Sequence, residues 1–420
     1  MKGLILGTDI ATRGAVQIQP KLRYRHLYVL GKSGVGKSTF LHRLVHQDAK
    51  HGHAVIVFDA GDLARGVIES LPQTVIESGR VHWFSVESPI AYNPLALRRG
   101  QPERLENELF SVMDQVTVEG SSTAPLSARM KALLGAALRA VLKEENEPTL
   151  SSVVTCLSAK KTALRTGLGL REDEFASTWE AVRDRLRPFL RDPRIRRIIC
   201  RPNELDFRKV IDEGQILIIS LAGLEPGVKR FVGTLLFNAL QSVVFERSEE
   251  ERRDVSAYVD EFHDYVASSI SAGMFQQIFN QGRKFRLSFA VAHTDLEGVD
   301  RSLLGTIHST AASLVAFQCG APEARRMSEI FAGQHQPGAL QLLPDYDAVA
   351  RVGTAVHPMH ALPPLAKLRK LAQPRWDGID PPDPFDEPIR DHDDRKPIRP
   401  TIRKKAPATP RTPAPEGNPA

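Results

Sequence analysis

The chain has 420 residues, 42 % hydrophobic and 25 % charged, which suits one large soluble domain with an insertion, or two domains. The net charge of +6 belongs to its end: from Arg395 onward stand seven Lys/Arg and one acid, Glu416, so residues 1–394 are formally neutral. No run approaches the roughly 18 uncharged apolar residues of a spanning helix, and any nucleic-acid surface on the body must be a local patch or the lumen of an oligomer.

The N-terminal stretch MKGLILGTDIATRGAVQ has an apolar core of three residues, too short for a signal peptide. A cytoplasmic protein is expected, with any membrane attachment made through a partner. The first predicted strand is HLYVL (26–30), followed by GKSGVGKST: Gly31, Lys32, Ser33, Gly34, Val35, Gly36, Lys37, Ser38 and Thr39. The spacing fits G-x-x-x-x-G-K-[ST], and a helix-like stretch, FLHRLVHQDAK, comes next. Glycines let the backbone wrap so that consecutive N–H groups point at a β-phosphate. The following helix adds a partial positive charge at the same point. Lys37 would reach the β- and γ-phosphates of ATP, and the Ser38 hydroxyl would ligate Mg²⁺.

The next strands are AVIVFD (54–59) and VHWFSV (81–86). Asp59 closes the first of them, where it either orients water around the metal or starts the next turn. A gap of about 130 residues follows, with helical patterns such as LENELFSVMDQV and ARMKALLGAALRAVLKEE. A helical insertion or a separate helical domain spliced into the core would both read this way.

ILIISL (216–221), VSAYVD (255–260), LSFAVAH (287–293) and SLVAFQ (313–318) complete the predicted strands. β-branched runs alternating with amphipathic stretches point to an α/β fold with a mainly parallel sheet. Asp260 ends a buried strand, as an acid holding Mg²⁺ through water does. Glu261, projecting to the other side, can polarise the attacking water. No N-K-x-D segment supports a GTPase, and no arginine-rich lid marks a small-molecule kinase.

From about residue 375 the chain turns to PPDPFDEP and KKAPATPRTPAPEGNPA, and the final 60 residues hold 14 of the 29 prolines. Such composition cannot bury enough apolar surface to fold, so a disordered tail is expected. Cys156, Cys200 and Cys319 match no metal or redox spacing and read as buried apolar residues.

In order along residues 20–360, RHLYVLGKSGVGKSTF, VFDAGDL, YNPL, LDFRKVIDEGQILIISL, AYVDEFHDYV, GRKFRLSFAVAH and RMSEIFAG resemble the HerA/FtsK branch of P-loop ATPases, most closely the TraD/TraG-type conjugative coupling proteins of type IV secretion. The resemblance implies a RecA-like core (residues 1–100 and 206–370), a helical insertion (101–205) and a tail (371–420). It also implies a homo-hexamer with ATP sites at subunit boundaries and DNA in the channel. Carried over, Lys37 and Ser38 bind nucleotide and metal, Asp260 is the metal acid and Glu261 the base. Arg283 in GRKF is a candidate finger for a neighbour's ATP, or a solvated helix end. Where this branch carries a γ-phosphate-sensing glutamine the chain has Thr294, beside His293; either one substitutes as the sensor, or coupling is weakened. The transmembrane helices of anchored coupling proteins and the β-barrel preceding the HerA core are not found. The expected activity is ATP-driven DNA translocation, with secretion or relaxosome proteins as partners. A protein-export ATPase and an ATP-assembled DNA scaffold are the alternatives.

Overall fold

A computed structural model describes residues 1–87, 90–97, 100–115, 125–265, 269–294, 299–370 and 378–385. In chain order its strands are β1 (Leu4–Asp9), β2 (Ala15–Ile18), β3 (Leu27–Leu30), β4 (Ala54–Asp59), β5 (Val81–Ser85), β6 (Ile216–Ser220), β7 (Val255–Val259), β8 (Leu287–His293), β9 (Ser313–Ala316), β10 (Asp347–Val352) and β11 (Ala355–Ala361). They form one sheet in the order β2-β1-β11-β10-β9-β3-β8-β7-β4-β6-β5.

The block from β9 to β5 is parallel and contains all seven strands expected from the sequence. Its central members are continuously apolar, as strands covered on both faces must be; every residue of β4 is buried. The four remaining strands were not foreseen. They extend the sheet antiparallel from β9 through β10, β11, β1 and β2.

Successive strand side chains feed two cores. On one face α1 (Lys37–Ala49) packs Phe40, Leu41, Leu44 and Val45 against Val29, Val55 and Val57. The other face receives Ile56, Phe58 and Phe289 together with the helices between β5 and β6. These are α2 (Pro102–Gln115), α3 (Ala128–Glu144), α4 (Leu150–Ala159), α5 (Lys161–Leu168), α6 (Glu172–Arg191) and α7 (Pro193–Ile199). Their caps are local: Thr149 and Ser152 exchange side-chain-to-backbone hydrogen bonds at the start of α4, and Asp192 with Pro193 opens α7. The helical segment shares its apolar core with the sheet, α8 (Pro226–Phe245) and α9 (Ser269–Gln281), rather than closing on a core of its own.

All three cysteines are buried free thiols, and burial pushes each up to about 11. Among the described residues no helix is long and apolar enough to cross a membrane. Of the tail only 378–385 is described, and it lies against α6 and α7: Arg196 Nε donates to the Pro381 carbonyl at 2.8 Å, and Arg197 pairs with Asp380 at 2.5 Å.

Candidate functional site

The parallel strands β3, β4, β7 and β8 end on one edge of the sheet, and the sequence places polar residues just past each end. After β3 the chain enters the glycine loop. Gly34 (φ 85°) and Gly36 (φ 109°) occupy left-handed backbone that a side chain would strain. A Cβ on Gly36 would also come within 2.8 Å of the Tyr346 ring. The loop is pinned at its start: Gly31 N–H donates to the His293 carbonyl at 3.2 Å and Lys32 N–H to that of Gln318 at 2.8 Å. The ring of Lys37 contacts is closed by Nζ donating to the Lys32 carbonyl at 2.9 Å, with the side chain buried. α1 then begins at Lys37, so the first-turn amides of Lys37, Ser38 and Thr39 and the helix dipole face the same space.

Asp260 follows β7, its amide bonded to the Phe58 carbonyl at 3.1 Å. Its carboxylate lies close enough to the Ser38 side chain to feel its polarity. Burial raises its pKa, with Glu261 acting in the same sense and Ser38 and Lys37 opposing. Glu261 sits at φ 48°, an unusual conformation for a side-chain-bearing residue, costing on the order of 1 kcal/mol. That backbone turn directs its carboxylate toward the end of β8. There the Thr294 hydroxyl donates to Oε2 at 2.9 Å, and His263 Nδ1 lies 3.4 Å from the same oxygen.

Asp59 caps the turn that follows β4. Its two oxygens accept from the amides of Gly61 and Ala64, both at 2.8 Å. Burial pushes its carboxyl up to about 6, helped by the nearby Asp260 and opposed by those two amides. His293 is fully buried and pushed down to about 3, by burial and then by His263 and Lys37. Neither of its ring nitrogens has a hydrogen-bond partner among the described residues.

The structure thus brings together Gly31 to Thr39, Asp260, Glu261, His293 and Thr294. It does not bring Arg283 to them. That residue is exposed in a single turn, Gly282–Phe285, preceding β8. β8 runs toward the cradle, so Arg283 lies roughly 20 Å away at the opposite edge of the sheet.

Three residues here escaped the sequence reading. His263 flanks Glu261, Tyr346 covers Gly36, and Lys229 of α8 donates to the Ala60 carbonyl and to Asp264, each at 3.3 Å. The HDY following Glu261 could have flagged His263. Nothing local marks Tyr346 or Lys229, whose roles depend on contacts with distant parts of the chain.

The profile of the family described as Helicase HerA, central domain, matches residues 6–240. Comparison with curated protein sequences finds no match. Among solved structures, the fold is similar to the bacterial conjugative coupling protein TrwBdeltaN70 in its unbound form, with 13 % identity, TM-score 0.66, and 87 % of this chain covering 91 % of that one. It is likewise similar to the plasmid coupling protein TrwB in complex with ADP and Mg²⁺ (15 % identity, 88 % of this chain and 96 % of that, TM-score 0.64). VirB4 of Thermoanaerobacter pseudethanolicus follows at 16 % identity, 86 % and 97 % coverage, and TM-score 0.63. At these identities the likeness is one of fold, and it is the RecA-like ATPase fold expected from the motifs.

Proposed function

Because this chain belongs to the HerA central-domain family, of the HerA/FtsK type of P-loop ATPase, we propose that it hydrolyses ATP with Mg²⁺ and uses the energy to move DNA through a hexameric ring. The observation that carries this reading is the juxtaposition of the buried Lys37 of the glycine loop, the buried Asp260 and a second, oriented carboxylate at one sheet edge. Residues 1–100 and 206–370 form the motor core in this reading, 101–205 the helical insertion, and 371–420 a basic tail.

The cradle fits the nucleotide it is assigned. Its glycine conformations leave room for phosphate against the first amides of α1, and Lys37 stands ready to exchange the Lys32 carbonyl for a phosphate oxygen. Ser38 and Asp260 supply two hard oxygen donors on neighbouring ends of the cradle and β7, which suits a cation that keeps most of its waters. When bound with ATP, Mg²⁺ neutralises charge on the β- and γ-phosphates.

Glu261 then acts as the base for the attacking water, and Thr294 holds its carboxylate in place. The buried His293 remains neutral at physiological pH and, with Thr294, occupies the γ-phosphate-sensing position. Arg283, remote from its own cradle and exposed, is assigned in this reading to a neighbouring subunit's ATP, the alternative being a solvated helix end. That coupling proteins of this fold are crystallised with ADP and Mg²⁺ supports the choice of nucleotide and metal.

ATP turnover measured with and without single- and double-stranded DNA tests the reading. The motor predicts stimulation by DNA and no turnover from Lys37→Ala. Turnover indifferent to DNA favours a protein-export ATPase, and DNA binding without turnover favours a scaffold.

A further inference from the structure

The helical segment carries a cationic face remote from the proposed ATP chemistry. Trp179, Arg183, Arg187 and Arg191 succeed one another at four-residue spacing on α6, so they form one stripe with about 6 Å between steps. Cations and rings alternate along it. Lys161 Nζ lies 4.4 Å from the Trp179 ring centre, and the Arg183 guanidinium 4.7 Å from it on the way to Phe385, at 5.5 Å. Arg187 meets the same Phe385 ring at 5.6 Å. Among the described residues Arg183 and Arg191 have no carboxylate within ion-pair distance, and Arg187 has only its own helix neighbour Asp184 at 3.5 Å.

Residues 378–385 lie across this face. Asp380 pairs with Arg197, Asp383 lies 3.7 Å from the buried Arg196, and Phe385 inserts its ring between Arg183 and Arg187. A cavity of about 280 Å³ remains, lined by Arg183, Arg187, Arg191, Asp383 and Phe385. A planar ring held between two guanidiniums beside an anionic oxygen is the pattern of one stacked base and its phosphate.

We propose that Arg183, Arg187 and Arg191 bind single-stranded nucleic acid, with the buried Trp179 backing Arg183 and residues 378–385 as a displaceable cover in which Phe385 stands for a base and Asp383 for a phosphate. An acidic peptide is the weaker fit. The carboxylates of the cover engage Arg196 and Arg197, while the stripe holds a ring and, among the described residues, leaves Arg183 and Arg191 without an acidic partner. The inference rests on the motor reading only for DNA as the polyanion, and it is measured without ATP, so absent DNA-stimulated turnover would sink that reading and leave this one standing.

The experiment is fluorescence anisotropy of a labelled single-stranded oligonucleotide with the full chain. Phe385→Ala, which changes no charge, should tighten binding several-fold. The combined Arg183→Gln, Arg187→Gln and Arg191→Gln variant should weaken binding, flatten its salt dependence, and abolish the gain from Phe385→Ala. The basic tail is common to all variants and cancels. Asp383→Asn provides a second release of the cover, and its gain should likewise vanish in the stripe variant. Equal affinity of wild type and both cover variants would overturn the proposal, as would a gain that persists without the stripe arginines. So would a Phe385→Ala chain that captures a peptide of residues 378–385 in trans but binds the oligonucleotide no more tightly.

Discussion

At the scale of single residues, Glu261 is the base of the proposed reaction, and its geometry is held from two sides. Its left-handed backbone turns the carboxylate toward the end of β8, and Thr294 donates to it at 2.9 Å. Glu261→Gln should therefore bind ATP as wild type does while losing about 10²–10⁴-fold in turnover. Thr294→Val, which removes only the donor, should lower kcat by a smaller factor and leave KM within about twofold. Steady-state kinetics beside nucleotide-binding titrations separates the two, and near-wild-type turnover from Glu261→Gln would remove the base from this position. Asp59 makes a different prediction. Its carboxyl titrates at about 6 when folded against 3.8 when free, so the folded state holds the proton more tightly. The stability this contributes is full below pH 3.8 and lost as pH rises through 6. Asp59→Asn removes that dependence. Its unfolding free energy relative to wild type should rise by up to about 3 kcal/mol between pH 4 and pH 7. A flat difference in denaturant melts across that window would mean that Asp59 is not strained by its charge.

At the scale of elements, the placement of the site depends on a buried polar knot between the helix that leaves the cradle and the strand before Asp260. Arg23 grips both oxygens of Asp48, the penultimate residue of α1, and the Tyr258 hydroxyl of β7 donates to Asp48 at 2.6 Å. The helix that begins at the cradle is thereby tied to the strand that delivers Asp260. Arg23→Ala would leave the carboxylate of Asp48 buried beside Tyr258 without its cation, at a cost of about 3–5 kcal/mol. Calorimetry checks this, and a loss below about 1 kcal/mol would show that His51 and His53 compensate. Elements also divide by how far the sequence discloses them. The inner parallel strands were legible because burial on both faces makes them apolar and continuous, as in AVIVFD and ILIISL, and the edge strand VHWFS by its aromatic and β-branched residues. The antiparallel extension was not: β2 has four residues, β1 alternates weakly, and β1 pairs with β11 some 350 positions away. The cradle and Asp260-Glu261 were legible because their spacing is local. The contacts of Lys229 and Tyr346 were hidden because the fold supplies them across long separations.

At the scale of the whole molecule, the trans role proposed for Arg283 makes the proposed activity a property of the assembly. A residue at the opposite sheet edge cannot reach its own nucleotide, so turnover per subunit should fall on dilution below the assembly constant. Arg283→Ala should bind ATP yet be inactive alone. Mixed with the equally inactive Glu261→Gln chain it should regain some turnover, because a mixed boundary pairs an intact arginine with an intact base. No recovery at any mixing ratio, from chains shown by light scattering to co-assemble, would remove Arg283 from the mechanism. The most direct test of ATP-driven DNA movement is displacement of streptavidin from end-biotinylated DNA, followed with time. Wild-type chain with ATP and Mg²⁺ should displace it, whereas Glu261→Gln with ATP should not, though it still binds DNA. ATP hydrolysis at full rate on that DNA with streptavidin left in place would contradict translocation.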